Sequence, residues 1–469
     1  MINYKNMNLP NLHECPLHQN EHLSEEEEIT SMLNNYFQKY RNNEEFDAEE
    51  ISFLCRFLNV KDEEFLVYLN KNNFIDIIMK YFKQIKSLQT IFDILRFFNN
   101  FYSRNNEKPK DIFLDYFISL FYSIEIEDLN YEIMINIIIE VLKSIQFYVA
   151  TFFLEHFEPC FFDQIDEIFG VNVYLDKAIC KLVLNFILSD IDIMSQVHIM
   201  NFIKYLYKDL KNTHYIVTEQ SQIFYYLLKR YPELNRYDWV HCIFFNLLII
   251  NNDNSRNYLY KILYKIPKEY FNYYINFDII NCISDTISRV DFPEITTSAL
   301  KVIYHFFQVD LKKSLDFFFS NDYDNININF LIINILFNGP FHMKKISAYI
   351  YLISLRYLPN NYLQSFKINS IEEFNNRRNN NNGFKAIYEI IDLNQTDILL
   401  LAIEDLDFLI NIFQQEENQF NCFLNLVDYS GIKEQILGII NNNSLEENND
   451  ILIELIRRSK ILINSYFKE

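Results

Sequence analysis

The sequence predicts an all-α protein, built as a long stack of paired helices, and three observations carry that prediction. Apolar residues recur at helical spacing rather than in the strict alternation of half-buried strands. Glycine is nearly absent, with five residues in a chain of 469, and proline numbers nine. Sheet-rich folds need Gly- and Pro-containing turns every ten residues or so, whereas helix pairs can turn on Asn, Asp and Ser. Finally, a short apolar template returns at intervals along the chain.

Taken in order, residues 1–23, with Pro10 and Pro16, read as a flexible N-terminal tail. Ser24 followed by Glu25 to Glu28 has the signature of a helix start. The hydroxyl can cap backbone amides, Glu27 can reach back, and the acids complement the helix dipole. Residues 24–469 are expected to form one continuous helical-repeat superhelix. Over 88–101, Leu88, Phe92, Leu95 and Phe98 form an apolar stripe, with Gln89, Asp93, Arg96 and Asn100 opposite.

The template places apolar or small residues at positions 0, 1, 4 and 7. Its strongest copies are Ala299-Leu300-Ile303-Phe306, Ala348-Tyr349-Leu352-Leu355 and Ala402-Ile403-Leu406-Leu409. Weaker copies begin at Ile91, Met134, Ile179, Val240 and Leu452, the last spoiled by Ser459. Successive starts lie 43, 45, 61, 59, 49, 54 and 50 residues apart, near the range of stacked helical repeats. Three of the seven alanines occupy position zero, where a small side chain lets neighbouring helices approach closely.

These Ala-started helices, with shorter helices before them such as 276–283 and an opening at Tyr429-Ser430-Gly431-Ile432, resemble the armadillo family and its HEAT relatives. The resemblance is best over 270–467, plausible over 51–190, and poor over 191–269. It implies a right-handed α-solenoid whose longer helices line a concave groove for an extended partner segment. Pro232, Pro267, Pro293, Pro340 and Pro359 fall between helical stretches, as residues excluded from helix interiors should. An Asn-rich loop near 375–383 is the expected flexible insertion.

Composition narrows the function. Half of the chain is hydrophobic, and 45 Phe with 33 Tyr supply ample surface to bury, so global disorder is excluded. A net charge of −21 is the wrong sign for a general nucleic-acid binder, whose affinity comes from neutralising phosphates. The longest apolar runs span about six residues, against roughly 20 for a bilayer-spanning helix. No secretory leader is expected, and the chain is read as a cytoplasmic or nuclear monomer. The seven scattered cysteines, at 15, 55, 160, 180, 242, 282 and 422, suit buried, reduced thiols.

Candidate chemistry is sparse. His13, Cys15, His18 and His22 carry metal-ligand atoms, but all lie within ten residues, too close to clip two separate elements together. His198, His241 and His305 read as packed helix residues, and Cys55, Cys180 and Cys242 as thiols made unreactive by apolar helices. No phosphate-cradling loop, nucleophile elbow or metalloprotease helix is present, so neither a cofactor nor catalysis is expected. The function expected is therefore a non-catalytic scaffold or adaptor that binds a basic protein or peptide segment and neither nucleic acid nor membrane. The faces opposite the buried stripes supply its candidate partner-binding residues: Gln89, Asp93, Arg96, Asn100, Thr297, Lys301, Tyr304 and Gln308. The alternatives are a nuclear transport adaptor of the importin-alpha type and a regulatory subunit that docks on an enzyme. Against the first stand a single Trp (Trp239), Ile243 where that family's paired Asn would fall, and an acidic N-terminal segment.

Overall fold

The computed structural model describes parts of 31–58 and residues 73–105, 109–124, 131–148, 159–189, 215–319, 328–377, 382–442 and 450–467, except positions 83 and 276. The expected tail, the Ser24 helix start and the His13/Cys15/His18/His22 group lie outside the described residues. Among the described residues every regular element is helical and none is a strand. None of these helices is long and apolar enough to cross a membrane. The chain divides into two compact units, 1–148 and 149–469.

In the first unit, α1 (Ala48–Leu58), α2 (Phe74–Phe82), α3 (Leu88–Asn105), α4 (Leu114–Tyr122) and α5 (Glu132–Gln146) centre on α3, which packs against α1, α2 and α5. Phe98 lies edge-on to Phe117 at 4.9 Å, and Phe74 edge-on to Phe97 at 5.9 Å. These pairings add specific geometry to a large apolar burial.

Here the stripe read from sequence needs correction. Leu88 is 41% exposed, whereas Asp93 is 2% exposed. With neighbours on several sides, α3 has little face left for solvent. Asp93 accepts hydrogen bonds from Ser52 Oγ (2.5 Å) and Gln89 Nε2 (3.1 Å), and Arg56 Nε lies 3.2 Å from its Oδ2. Nearly two turns on, buried Asn99 donates to the Glu140 carbonyl and carboxylate, both at 2.8 Å, and accepts from Ser144 Oγ. Both groups are buried polar atoms with partners, the arrangement that avoids a desolvation penalty.

In the second unit the helices after α6 (Pro159–Ile168) form two rows. The long row runs α7 (Val173–Leu188), α8 (Val217–Arg230), α10 (Asp253–Leu263), α13 (Pro293–Val309), α16 (Phe341–Tyr357), α20 (Thr396–Phe413) and α23 (Asp450–Tyr466), each packed on the next. The other row runs α9 (Asp238–Ile249), α12 (Phe277–Ser288), α15 (Ile328–Asn338), α19 (Gly383–Asp392) and α22 (Ile432–Asn442). Each of these also packs on the long-row helix that follows it. Further helices lie between the repeats: α11 (Phe271–Tyr274), α14 (Leu311–Phe319), α17 (Asn360–Phe366), α18 (Ile371–Asn376) and α21 (Glu417–Tyr429).

The template residues hold the rows together. Ala299, Ala348 and Ala402 have no exposed surface, and neither do Val302, Ile303 and Phe306. Two details differ from the sequence reading. The copy at Val240 belongs to α9 in the second row, because both rows bury a stripe of the same spacing. In α23 it is Ile453 that is exposed while Ser459 is buried. Of the stretch 191–269, where the resemblance is poor, residues 191–214 lie outside the described residues, while α8 and α10 continue the long row and α9 opens the second.

The prolines stand at helix boundaries: Pro293 opens α13, and Pro340 and Pro359 are the N-caps of α16 and α17. Of the Asn-rich stretch near 375–383, residues 378–381 lie outside the described residues. Asn382 is buried and caps α19 by accepting from Lys385 N.

Candidate functional site

The candidate surface is the exposed face of the long row. In α13, helical spacing puts Thr297, Lys301, Tyr304 and Gln308 one turn apart, away from the buried Ala299, Val302, Ile303 and Phe306. Lys301 and Gln308 are exposed, and Thr297 and Tyr304 half-buried. Thr297 Oγ1 donates to the Pro293 carbonyl at 2.6 Å, so it serves the helix start. The Tyr304 ring lies 5.4 Å from that of Tyr349 on α16, and Tyr349 donates its hydroxyl proton to Asp397 on α20. One polar and aromatic chain thus crosses three successive long helices.

Between the same three helices lies a cleft of about 250 Å³. Phe307, Leu352, Ile353 and Leu401 make it apolar, while Tyr304 and Gln308 stand on its α13 side. Across from them Arg356 donates from Nε to Asp405 Oδ1 at 2.7 Å and from Nη2 to Glu404 Oε2 at 3.0 Å. Asp405 has no exposed surface, and its Oδ2 has no hydrogen-bond partner. Burial pushes the Asp405 carboxyl up to about 7, against the pull of Arg356, which favours the charged form. The volume is below that of a site for a drug-sized ligand and suits a single anchoring side chain.

Of the residues read from sequence, Tyr304 and Gln308 line this cleft, and Lys301 stands on the same face one turn earlier. Gln89, Asp93, Arg96 and Asn100 belong to the first unit. There Arg96 and Gln89 are exposed, Asn100 is half-buried, and Asp93 is spent on internal bonds. The buried Asp93 is therefore no groove residue.

Among the described residues Cys55, Cys180, His241 and His305 have internal roles and His342 is exposed, while His198 lies outside the described residues. Burial raises the pKa of Cys55 and Cys180. His305 bonds through Nε2 to the Ile266 carbonyl at 3.1 Å, and His241 to the Asn235 carbonyl at 3.0 Å. Cys242 is exposed, contrary to expectation, because α9 buries Val240, Ile243, Phe244 and Leu247 and turns Cys242 outward. Among the described residues no group of histidine, cysteine and acidic side chains could hold a metal ion.

Sequence reasoning missed Arg356, Asp405 and the apolar lining from α16 and α20. One signal was available. Three positions after each template alanine stand Val302, Tyr351 and Asp405, so an acid occupies a place that Val302 marks as core. A carboxylate in a buried stripe calls for a cationic partner, and Arg356 on the neighbouring long helix supplies it.

No family model and no curated protein matches the chain. Among solved structures, its fold is similar to that of an engineered protein. The likeness covers 90% of this chain and 97% of that chain, with a TM-score of 0.50 and 10% identity. At that identity the likeness concerns the fold alone.

Proposed function

We propose that the chain is a non-catalytic protein-interaction scaffold of the armadillo-like, right-handed solenoid type. It holds an extended partner segment across the exposed face of its long helices. The observation that carries the reading is the cleft, which straddles three successive long helices on the face that includes Tyr304 and Gln308. A large apolar side chain of the partner enters between Phe307, Leu352 and Leu401. The Tyr304 hydroxyl, the Gln308 amide and the outer edge of Arg356 bond to its backbone. Buried anchors of this kind dominate interface energetics, and rim charges contribute little individually. The net charge of −21 favours basic flanks on that segment and speeds their encounter at low salt.

Peptide display against the purified protein tests this. Enriched sequences should carry one large apolar residue flanked by Lys or Arg. Tyr304→Ala should weaken the best of them about tenfold, roughly 1.4 kcal/mol. It should leave the helical CD signal and cooperative melting in place. Phe306→Ala, by contrast, should cost roughly 3–5 kcal/mol of stability, because that ring has no exposed surface and packs on Phe271 at 4.9 Å. Unchanged peptide affinity in the Tyr304 variant, or equal unfolding in both, would sink the assignment of faces.

A further inference from the structure

We infer that Lys229, Lys261, Lys265 and Lys301 form a second subsite on the long row, which binds an acidic peptide segment. It lies on α8, on α10 with the turn that follows it (Lys265), and on α13, helices that pack side by side, and it stands independently of the cleft on α13, α16 and α20.

Each of the four ammonium groups sits over a tyrosine ring. Lys229 lies 5.9 Å from the Tyr226 centroid, Lys261 5.0 Å from Tyr258, and Lys301 5.8 Å from Tyr264. Lys265 lies 5.6 Å from Tyr225 and 5.8 Å from Tyr264, and it donates to the Tyr225 hydroxyl at 3.1 Å. Three of the lysines line an open cleft of about 210 Å³, with Pro232 and Pro267 at its edge.

None of the four is ion-paired with a carboxylate among the described residues. That is unexpected in a chain with 63 acidic and 42 basic side chains. Elsewhere lysines do find acids: Lys344 pairs with Glu389, Lys367 with Glu416 and Lys143 with Glu140.

A ring quadrupole holds an ammonium for about 0.5–1 kcal/mol at an exposed site but does not neutralise it. Each ammonium carries three donors, so outward N–H groups remain for a ligand. The hydrogen bond to Tyr225 raises the pKa of Lys265, which keeps it charged at neutral pH. Four like charges on three adjacent helices repel one another, and an anionic ligand converts that cost into attraction.

The spacing selects the ligand. Neighbouring helix axes lie roughly 8–10 Å apart, so the charges spread over a width greater than one phosphate. An extended peptide rises about 3.3 Å per residue and crosses three such helices within roughly six residues. A nucleic acid must gain its affinity from phosphate neutralisation, which the net charge of −21 opposes. A short run of Asp or Glu meets the same long-range repulsion, and the comparison with oligothymidylate decides between the two.

The test uses fluorescently labelled decaglutamate, decalysine and oligothymidylate, titrated by anisotropy at low and raised salt. The proteins are the wild type, Lys261→Glu/Lys265→Glu, the milder Lys261→Gln/Lys265→Gln, and Tyr304→Ala. Decaglutamate should bind the wild type, and more weakly as salt rises. The Glu double variant should lose at least tenfold in affinity, the Gln variant severalfold, and Tyr304→Ala nothing. Since Tyr304→Ala tests the anchoring cleft and the lysine variants test this subsite, the two readings fail separately. No binding of decaglutamate, equal binding by the folded Gln variant, or tighter binding of oligothymidylate would overturn the inference.

Discussion

Asp405 holds in α20 the place that Val302 holds in α13, and the fold accepts it because Arg356 reaches it from α16. In the folded chain its proton stays on up to about pH 7, whereas in the unfolded chain it leaves near the ordinary 3.8. The folded state therefore binds more protons in that window, and stability falls as pH rises through it. The full effect is at most ~4 kcal/mol for about three units. Melting of Asp405→Asn and wild type across pH 4 to 8 should show the wild type losing ground relative to the variant up to neutrality, then running parallel. A pH-independent difference between them would refute burial as the dominant influence on this carboxyl. The variant keeps a hydrogen-bond acceptor for Arg356, which also retains Glu404, so it should fold.

At the scale of elements, Asn is a capping residue as much as a marker of loops. Asn172 caps α7, Asn252 caps α10 through Ser255 N at 2.9 Å, and Asn382 caps α19. Each accepts from backbone amides that would otherwise stay unsatisfied at a helix start. The two glycines of the 431–438 stretch differ in the same local way. Gly431 joins α21 to α22 with φ of +83°, and a Cβ there would lie 3.1 Å from the Tyr388 ring. Gly438 sits inside α22 with nothing within 4 Å of such a Cβ. Gly431→Ala should therefore destabilise by roughly 1–2 kcal/mol. Gly438→Ala should instead stabilise by up to about 1 kcal/mol, the helix-propensity difference. Chemical denaturation of the two variants should give shifts of opposite sign; shifts of the same sign would refute the local reading.

At the scale of the molecule, the second unit is organised by neighbours. Among the described residues each long helix packs on its neighbours in the row, and from α10 onward also on the second-row helix that precedes it. Long-row steps run from 36 residues (Val217 to Asp253) to 55 (Phe341 to Thr396), so the repeat is structural rather than a fixed sequence period. Stability in such arrays is close to a sum of repeat and nearest-neighbour terms. Deleting 450–469 removes α23, which packs on α20 and α22. Hydrogen exchange should then speed up over 396–442 and change little over 217–263. Uniform loss of protection across the second unit would mean that it unfolds as one block.

How much of this was legible depends on whether the signal is local. Helical spacing reports which side of a helix is buried, and it placed Ala299, Val302, Ile303 and Phe306 in the core and Tyr304 and Gln308 on the open face from sequence alone. The scarcity of glycine and the boundary prolines likewise determined that the chain is helical, since both act through the backbone of one or two residues. Spacing says nothing about which helix fills the space beyond a stripe. Only the tertiary structure decided that the Val240 helix belongs to the second row, and that α1 and Ser52 enclose Asp93. The same holds for Arg356, which meets an acid 49 residues away, and for lysines from three helices that share one face. Apolar stripes are chemically alike, so their pairing follows from the fit of side chains across the interface rather than from any residue's own identity.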